Sequence, residues 1–381
     1  MRKEEGDTRK LLEIFSSAKG RTYDIGVIVS AVFLTAMGVL MVYSTSSVYS
    51  LEMYGNANYF LIRHAIYLVI GLTSMVVLMK LDYRILRKLV YPAYLAGLAM
   101  LIIVLVPGIG KEVSGARRWI DLGFLSFQPS EFAKYILVLY LAHSLTKKRD
   151  KLDNFMVGFA SHILIAGVYV ILVLLEPDFG TASTMLVVLF AMLFIGEVKM
   201  KYLIPVGVFS VIFLCIAVVT KGYRMNRVTS FLDPWQDPLG SGYQAIQSFV
   251  AFALGGIYGS GLGDSSQKLF FLPQAHTDFI FSIIGEELGF IGILLVIIGF
   301  AVLFVRSLKV SLRAPDLFGC YLVFGCILLI TLQAGINMAV AVGLFPTKGL
   351  TLPFISYGGT SLIATLSAVG IILNVSKSGL K

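Results

Sequence analysis

Behind a polar, basic start at residues 1–23, apolar stretches follow one another along the chain. Each is about long enough to cross a bilayer core of roughly 30 Å as a helix. They lie near 24–44, 59–79, 88–107, 130–146, 155–175, 180–196, 202–220, 278–304, 317–343 and 354–375. The pattern predicts ten spans, of which 130–146 and 180–196 are short. The expected fold is an all-α polytopic membrane protein: one ten-helix membrane domain over 24–376, with tails at 1–23 and 377–381.

Ten spans put both termini on one side, and the polar positions between spans say which. On the side of the N-terminus lie 21 of the 31 Lys and Arg residues, from the six in the tail to Lys377 and Lys381. That bias makes both termini cytoplasmic. The 221–277 connection between spans seven and eight is then extracytoplasmic. It is the one long polar-rich connection, and loops of that length inside compact proteins are usually functional. Within it, 243–258 reads as a short amphipathic or re-entrant helix. Gly255, Gly256, Gly259, Gly261 and Gly263 follow and permit tight backbone turns.

Composition agrees: 57% of residues are hydrophobic and only 14% charged, where a soluble domain has about a quarter charged. The net charge of +9 follows from the inward positive bias and gives no reason to invoke nucleic acid. Cys215, Cys320 and Cys326 sit in apolar runs, without disulfide or metal spacing. The first apolar run is too long for a cleavable signal peptide and lacks a small-residue cleavage site.

Charge beside hydrocarbon is costly, so its placement is informative. The outer side carries Arg117-Arg118-Trp119, Gln128-Pro129-Ser130-Glu131 with Lys134 one turn on, Glu176-Pro177-Asp178, Arg224 and Arg227, Asp264 and Lys268, and Lys348. Headgroup contact explains a single such charge. Lys134 and Glu131, three apart on one helical face, fit either an internal ion pair or a phosphate site. Asp278 ends the long connection, just before Phe279-Ile280-Phe281. Thr277 could cap the helix there, with Asp278 favoured in the first turn by the helix dipole. The dipole would lower its pKa and burial against Phe279 and Phe281 would raise it. Ser282, Gly285, Gly289 and Gly292 share its stripe, and Gly285 and Gly289 form a GxxxG spacing that lets another helix approach. Asp278 is therefore expected to point into the bundle. Glu286 and Glu287 read as structural carboxylates or part of a polar path. There is no P-loop, no DxD pair and no zinc-type histidine cluster.

Six motifs, QPSEFAK (128–134), EPDFGTA (176–182), DPWQDPLGSGYQ (233–244), GLG-x-S-x-QK-x-FFLP (261–273), HTDFIFSIIGEELGFIG (276–292) and LPFISYGGTSL (352–362), occur in this order. Together they resemble the SEDS family over essentially the whole chain after the tail. The IGEELGFIG and LPFISYGG wording is more similar to the FtsW/SpoVE branch than to RodA. The resemblance implies a ten-helix glycosyltransferase that polymerises lipid II into peptidoglycan glycan strands at the outer face of the bacterial cytoplasmic membrane. It also implies undecaprenyl-pyrophosphate-linked glycan as co-substrate and a class B penicillin-binding protein as transpeptidase partner. The family's essential aspartate maps onto Asp278, and its functional tryptophan and glutamate onto Trp119 and Glu131. Arg117, Arg118, Lys134, Arg224, Lys268 and Lys348 are expected to bind pyrophosphate, with Ser130, Asp178, Gln244, His276 and Thr277 around the substrate. No cofactor is required, and a divalent cation such as Mg or Mn is compatible with the scheme. The branch implies septal or spore wall synthesis, with a RodA-like role in elongation by the same chemistry as the alternative; the rival functions are a lipid II flippase using Glu286 and Glu287, and a non-catalytic scaffold for the transpeptidase.

Overall fold

The computed structural model describes residues 23–113, 115–121, 123–219 and 222–379; the remainder of both tails lies outside them. A helix occupies each of the ten apolar stretches. They are α1 (Ile25–Tyr54), α2 (Tyr59–Lys80), α3 (Arg84–Leu105), α4 (Pro129–Lys147), α5 (Ser161–Leu175), α6 (Phe179–Ile195), α7 (Met200–Val219), α10 (Ile280–Leu312), α11 (Leu317–Ala341) and α12 (Gly359–Gly379). Between α7 and α10 lie α8 (Gly222–Leu232) and α9 (Tyr243–Gly255). Among the described residues, seven helical segments are long and apolar enough to cross a membrane, with Phe179–Ile195 and Met200–Phe213 apolar but shorter.

Local chemistry sets the helix ends. Asp24 caps α1, accepting from Val27 N–H at 3.1 Å. Gly55, at φ 68°, ends it in the left-handed conformation that glycine adopts without cost. The helix runs ten residues past the expected 44 because nothing before Gly55 breaks it. Pro129 occupies the first turn of α4, where its missing N–H is no loss. Asp178 caps α6 and Asp316 caps α11. The last helix begins at Gly359, later than the expected 354, because residues 350–358 form a buried turn.

Two corrections concern the connections. The chain is not wholly α: residues 110–127 form a three-stranded antiparallel sheet of β1 (Gly110–Val113), β2 (Ala116–Asp121) and β3 (Ser126–Phe127). Ion pairs Lys111–Asp121 (2.8 Å) and Arg117–Glu112 (3.2 Å) bridge its strands. The 221–277 connection holds the short helix expected at 243–258, as α9, but the rest is not open loop: it forms α8, the turn Pro234–Gln236 and a compact run of turns.

The bundle has one basic end. Asp24 holds Arg306 at 2.7 Å, and its N–H donates to Ser376 Oγ. Arg84 pairs with Asp316, and Lys199 with Asp153. The start of α1 and the end of α12 therefore meet at this end. The sheet, α8, α9 and the start of α10 lie at the other. Within the bundle α12 packs on α2, and α10 on α1, α9 and α11. One close crossing is at Gly38, where an added Cβ would sit 2.2 Å from the Phe354 carbonyl; between α9 and α10 a Cβ on Gly255 would sit 1.9 Å from the Gly285 carbonyl.

Inside α10, Gly289 is non-helical at φ 65°, ψ −163°. The break frees carbonyls that the following loop satisfies: Ser260 and Gly261 N–H donate to the Glu286 and Glu287 carbonyls. In return, Phe290 and Ile291 N–H donate to Gly256 and Ile257. Gly285 does admit a neighbour, since an added Cβ would strike Phe252 of α9. Gly289 serves a chain break rather than the expected helix crossing.

Candidate active site

Asp278 is held by its backbone. Its N–H donates to the Gln274 carbonyl at 3.1 Å, and its carbonyl accepts from Asn337 Nδ2 of α11 at 2.8 Å. The Thr277 carbonyl accepts from Ser356 Oγ, and the His276 carbonyl from Tyr357 N–H. Residues 276–278 are thus pinned between α11 and the 350–357 turn. The helix starts only at Ile280 with Phe279 as its cap, and its first turn contains no acidic residue. Thr277 does not cap it: its hydroxyl is bonded to Gln274. The capping explanation for Asp278 therefore fails.

The Asp278 carboxylate is half-buried and makes no hydrogen bond or ion pair with a described residue. Gly349 lies beside it, close enough that an added Cβ would be 3.4 Å from Asp278 Oδ2. Burial pushes its carboxyl up to about 7, opposed by the charges of Arg227 and Arg118 and reinforced by that of Asp178. Burial thus wins over the cations, and the group exchanges a proton near neutrality, where a general base works well.

Three further segments bring charge to it, through Arg118, Arg227 and Asp178, and Lys348 adds its charge beside Asp178. Arg118 of β2 donates to the carbonyls of Glu176 (3.1 Å) and Pro177 (2.5 Å). Arg227 of α8 donates to the Thr347 carbonyl at 3.2 Å. Asp178 accepts from Thr181 N–H and hydroxyl, which fixes it at the start of α6. Lys348 reaches Ser183 Oγ at 3.4 Å and lies 5.6 Å above the Phe179 ring. Burial lowers the Lys348 pKa, and Asp178 opposes the shift. Glu176 is fully buried, and its carboxyl oxygens meet no described donor. Burial and then Asp178 push its carboxyl up to about 9 against the pull of Arg118, so it is a neutral acid at pH 7.

Several expected ligands lie elsewhere. Lys268 is buried and spends its ammonium on Gly263 O (2.6 Å), Glu287 Oε1 (2.8 Å) and Ser44 Oγ (3.1 Å). No proton remains for a pyrophosphate. Lys134 is 2% exposed and bonded to Glu131 Oε1 (2.9 Å) and Gln333 Oε1 (2.6 Å), so the internal ion pair is the arrangement present. Arg117 is paired with Glu112 on the sheet's exposed side. His276 packs its ring on Tyr49, Phe60 and Tyr357. Burial lowers its pKa to about 4, so it carries no charge to offer a phosphate at pH 7. Ser130 is buried and accepts from Gln128. Trp119 is half-buried on β2, and Gln244 half-buried in the first turn of α9. The side chain of Arg224 lies outside the described residues. Glu286 accepts from Ser265 and Ser266, and Glu287 from Ser44 and Lys268. Both carboxylates tie the loop to α1 and the broken helix, which leaves the polar-path reading without a free group.

Sequence reasoning placed Arg227 and Glu176 on the outer side without giving them a role, and passed over Gln333 and Asn337. Gln333 and Asn337 stand one turn apart on α11; Gln333 holds Thr351 (2.9 Å) while Asn337 holds Leu350 (2.7 Å) and Asp278. Polar residues one turn apart in an otherwise apolar span were the available signal.

The model for FtsW, RodA and SpoVE proteins, described as a cell cycle protein, matches residues 25–380. The chain belongs to the FtsW/RodA/SpoVE family. Over 354 residues, 93% of this chain and 96% of the relative, it is 49% identical to the probable peptidoglycan glycosyltransferase FtsW of Geobacter sp. (strain M18). It is 38% identical to stage V sporulation protein E of Bacillus subtilis (strain 168), over 95% of this chain and 99% of that protein. Among solved structures it is similar to the rod shape determining protein RodA of Thermus thermophilus, with TM-score 0.70 and 31% identity. That match covers 94% of this chain and 98% of RodA. A chain of a peptidoglycan synthase complex that coordinates polymerization and crosslinking matches at TM-score 0.76 and 34% identity, over 94% and 99% of the two chains. As an FtsW/RodA/SpoVE protein with this helical bundle, the molecule is a multi-pass membrane protein.

Proposed function

We propose that the chain polymerises lipid II into peptidoglycan glycan strands, as an inverting glycosyltransferase with Asp278 as general base. The observation that carries this is the Asp278 carboxylate, without a partner among the described residues, held by its backbone and faced by Arg118 and Arg227. Its likeness to FtsW and SpoVE proteins over nearly their full length supports a role in division or spore wall synthesis.

Asp278 takes the proton from the 4-hydroxyl of the incoming lipid II, whose oxygen forms a bond to the anomeric carbon of the donor strand. The bond from that carbon to the pyrophosphate breaks, and undecaprenyl pyrophosphate leaves with the electron pair. Arg118, Arg227 and Lys348 supply positive charge where the leaving group develops negative charge. Pyrophosphate leaves without needing a strong acid, so one free carboxylate suffices. Glu131 and Lys134 act at one remove, by holding Gln333 and through it Thr351. A divalent cation bound to the pyrophosphate would find Asp178 as its carboxylate, since magnesium commonly combines one or two carboxylates with phosphate oxygens. It would supply further charge neutralisation.

The reaction takes place at the outer face of the bacterial cytoplasmic membrane, with the basic end of the bundle in the cytoplasm. A class B penicillin-binding protein is the partner that cross-links the product, a reading supported by the likeness to a chain of a peptidoglycan synthase complex. The test is purified Asp278→Asn supplied with lipid II, with folding checked by size-exclusion profile and thermal unfolding. Polymerisation is expected to fall about 10²- to 10⁴-fold. Polymer at the wild-type rate removes Asp278 from the role of base. Lipid II crossing vesicle leaflets without polymer would instead make the protein a transporter.

A further inference from the structure

Beyond the reacting centre, and resting on the polymerase reading above, we propose that the chain carries a second saccharide subsite under the turn Pro234–Gln236. A cavity of about 290 Å³ opens there between that turn, α9 and residues 343–347. Its size is at the lower end of small-molecule sites, roughly 300 Å³. Trp235 stands at its wall with 65% of its surface exposed.

The lining selects the ligand. Phe249 and Trp235 give it apolar faces, while Ser230, Ser241 and Asp233 bring oxygen atoms to the same space. Asp233 uses Oδ1 to accept from Trp235 N–H at 3.1 Å, and its second oxygen has no bond to a described residue. An acyl chain would bury that carboxylate against hydrocarbon, which is costly. An anion would meet a negative charge with no lining cation. A ligand with a flat apolar face and neutral hydroxyl donors satisfies both halves, and that is a pyranose sugar.

The place fits the same ligand. Thr347 lines the cavity, and its carbonyl is held by Arg227, which faces Asp278. Gly349 beside Asp278 is two residues farther on, a step of at most roughly 7 Å. A strand whose end sits at Asp278 can therefore rest its next sugars against Trp235. Contacts away from the breaking bond bind substrate and transition state alike. They retain the strand between cycles without changing the chemical step.

The test has two readouts. Tryptophan occurs only twice in the sequence, so Trp119→Phe leaves Trp235 as the sole indole. In that protein, carrying also Asp278→Asn, soluble β-1,4-linked N-acetylglucosamine oligomers are expected to change the fluorescence saturably. Asp233→Asn should weaken that binding about tenfold. In the otherwise unmodified chain, Trp235→Ala should give shorter polymer from lipid II at an unchanged initial rate of lipid II consumption, and Trp235→Phe should restore length. Absence of the saturable change, or polymer of unchanged length in Trp235→Ala, overturns the subsite and leaves the polymerase reading standing. A length defect that appears only with a transpeptidase present makes the surface a protein interface and overturns it likewise. Failure of the wild-type protein to form polymer would sink the polymerase reading itself, whatever the oligomers do.

Discussion

The chemistry of Asp278 depends on a balance between burial and two arginines. Burial raises its pKa to about 7, so the basic form is the minority below that pH and the majority above it. Polymerisation is expected to rise with pH through about 7. Arg227→Gln removes a charge that favours the carboxylate and should move this limb to higher pH, as read from initial rates between pH 6 and 9; an unmoved limb would mean that another group titrates. The linkage to stability has the opposite sense. An unfolded aspartate ionises near 3.9, so the fold opposes its ionisation, at a cost that grows from about pH 4 to about pH 7. Asp278 was conspicuous in the sequence because a carboxylate at the head of an apolar helix needs a reason. Whether it serves as a helix cap was not legible there, because that turns on where Thr277 sends its hydroxyl. Lys268 was misleading for a related cause: a sequence shows a cation but not the distant carboxylate that consumes it, whereas the Glu131 partner of Lys134 was visible three residues away.

At the scale of elements, hydropathy located the long helices well, since a run of apolar residues in a membrane has no other way to satisfy its backbone. The sheet at 110–127 was missed because its strands are short and its pairing depends on contacts across turns. The break in α10 was missed because Gly285 and Gly289 match a helix-crossing motif, and only the φ of 65° at Gly289 distinguishes the two uses. Gly289→Ala tests the break. Its Cβ would lie 2.4 Å from Gly259 N and 2.5 Å from Ile257 O, and the backbone there disfavours any side chain by about 1–3 kcal/mol. A lowered midpoint of thermal unfolding is expected, with loss of polymerisation. Gly285→Ala meets the flexible Phe252 ring instead and should be milder; equal effects would deny the break its special role.

Across the whole molecule, polar side chains tie distant helices together where lipid offers no competing partner. Glu131 and Lys134 on α4 reach Gln333 on α11, which in turn holds Thr351. Lys134→Ala leaves Glu131 buried without its cation, a change that costs about 3–5 kcal/mol in comparable buried pairs. The expected result is a marked loss of stability in detergent, with Glu131→Gln added to it restoring most of the loss. Weak lipid II binding by a Lys134→Ala protein of wild-type stability would point to direct substrate contact. That the basic segments share one end was legible from the distribution of Lys and Arg, and the contacts among Asp24, Arg306 and Ser376 gather those segments there.

The interruption at Gly289 divides α10 unequally. The piece from Ile280 to Leu288 is nine residues long, about 13 Å at the helical rise, which is close to the depth of one leaflet of a bilayer core of roughly 30 Å. Asp278 therefore stands at the head of a segment about one leaflet deep, bonded sideways to the loop at 256–261 rather than driven end-on by the rest of the helix. A force on the external surface, from a bound strand or a docked protein, can tilt that short lever about the bilayer midplane. Asp278 would then move while the longer part of the helix, beyond Gly289, stays still.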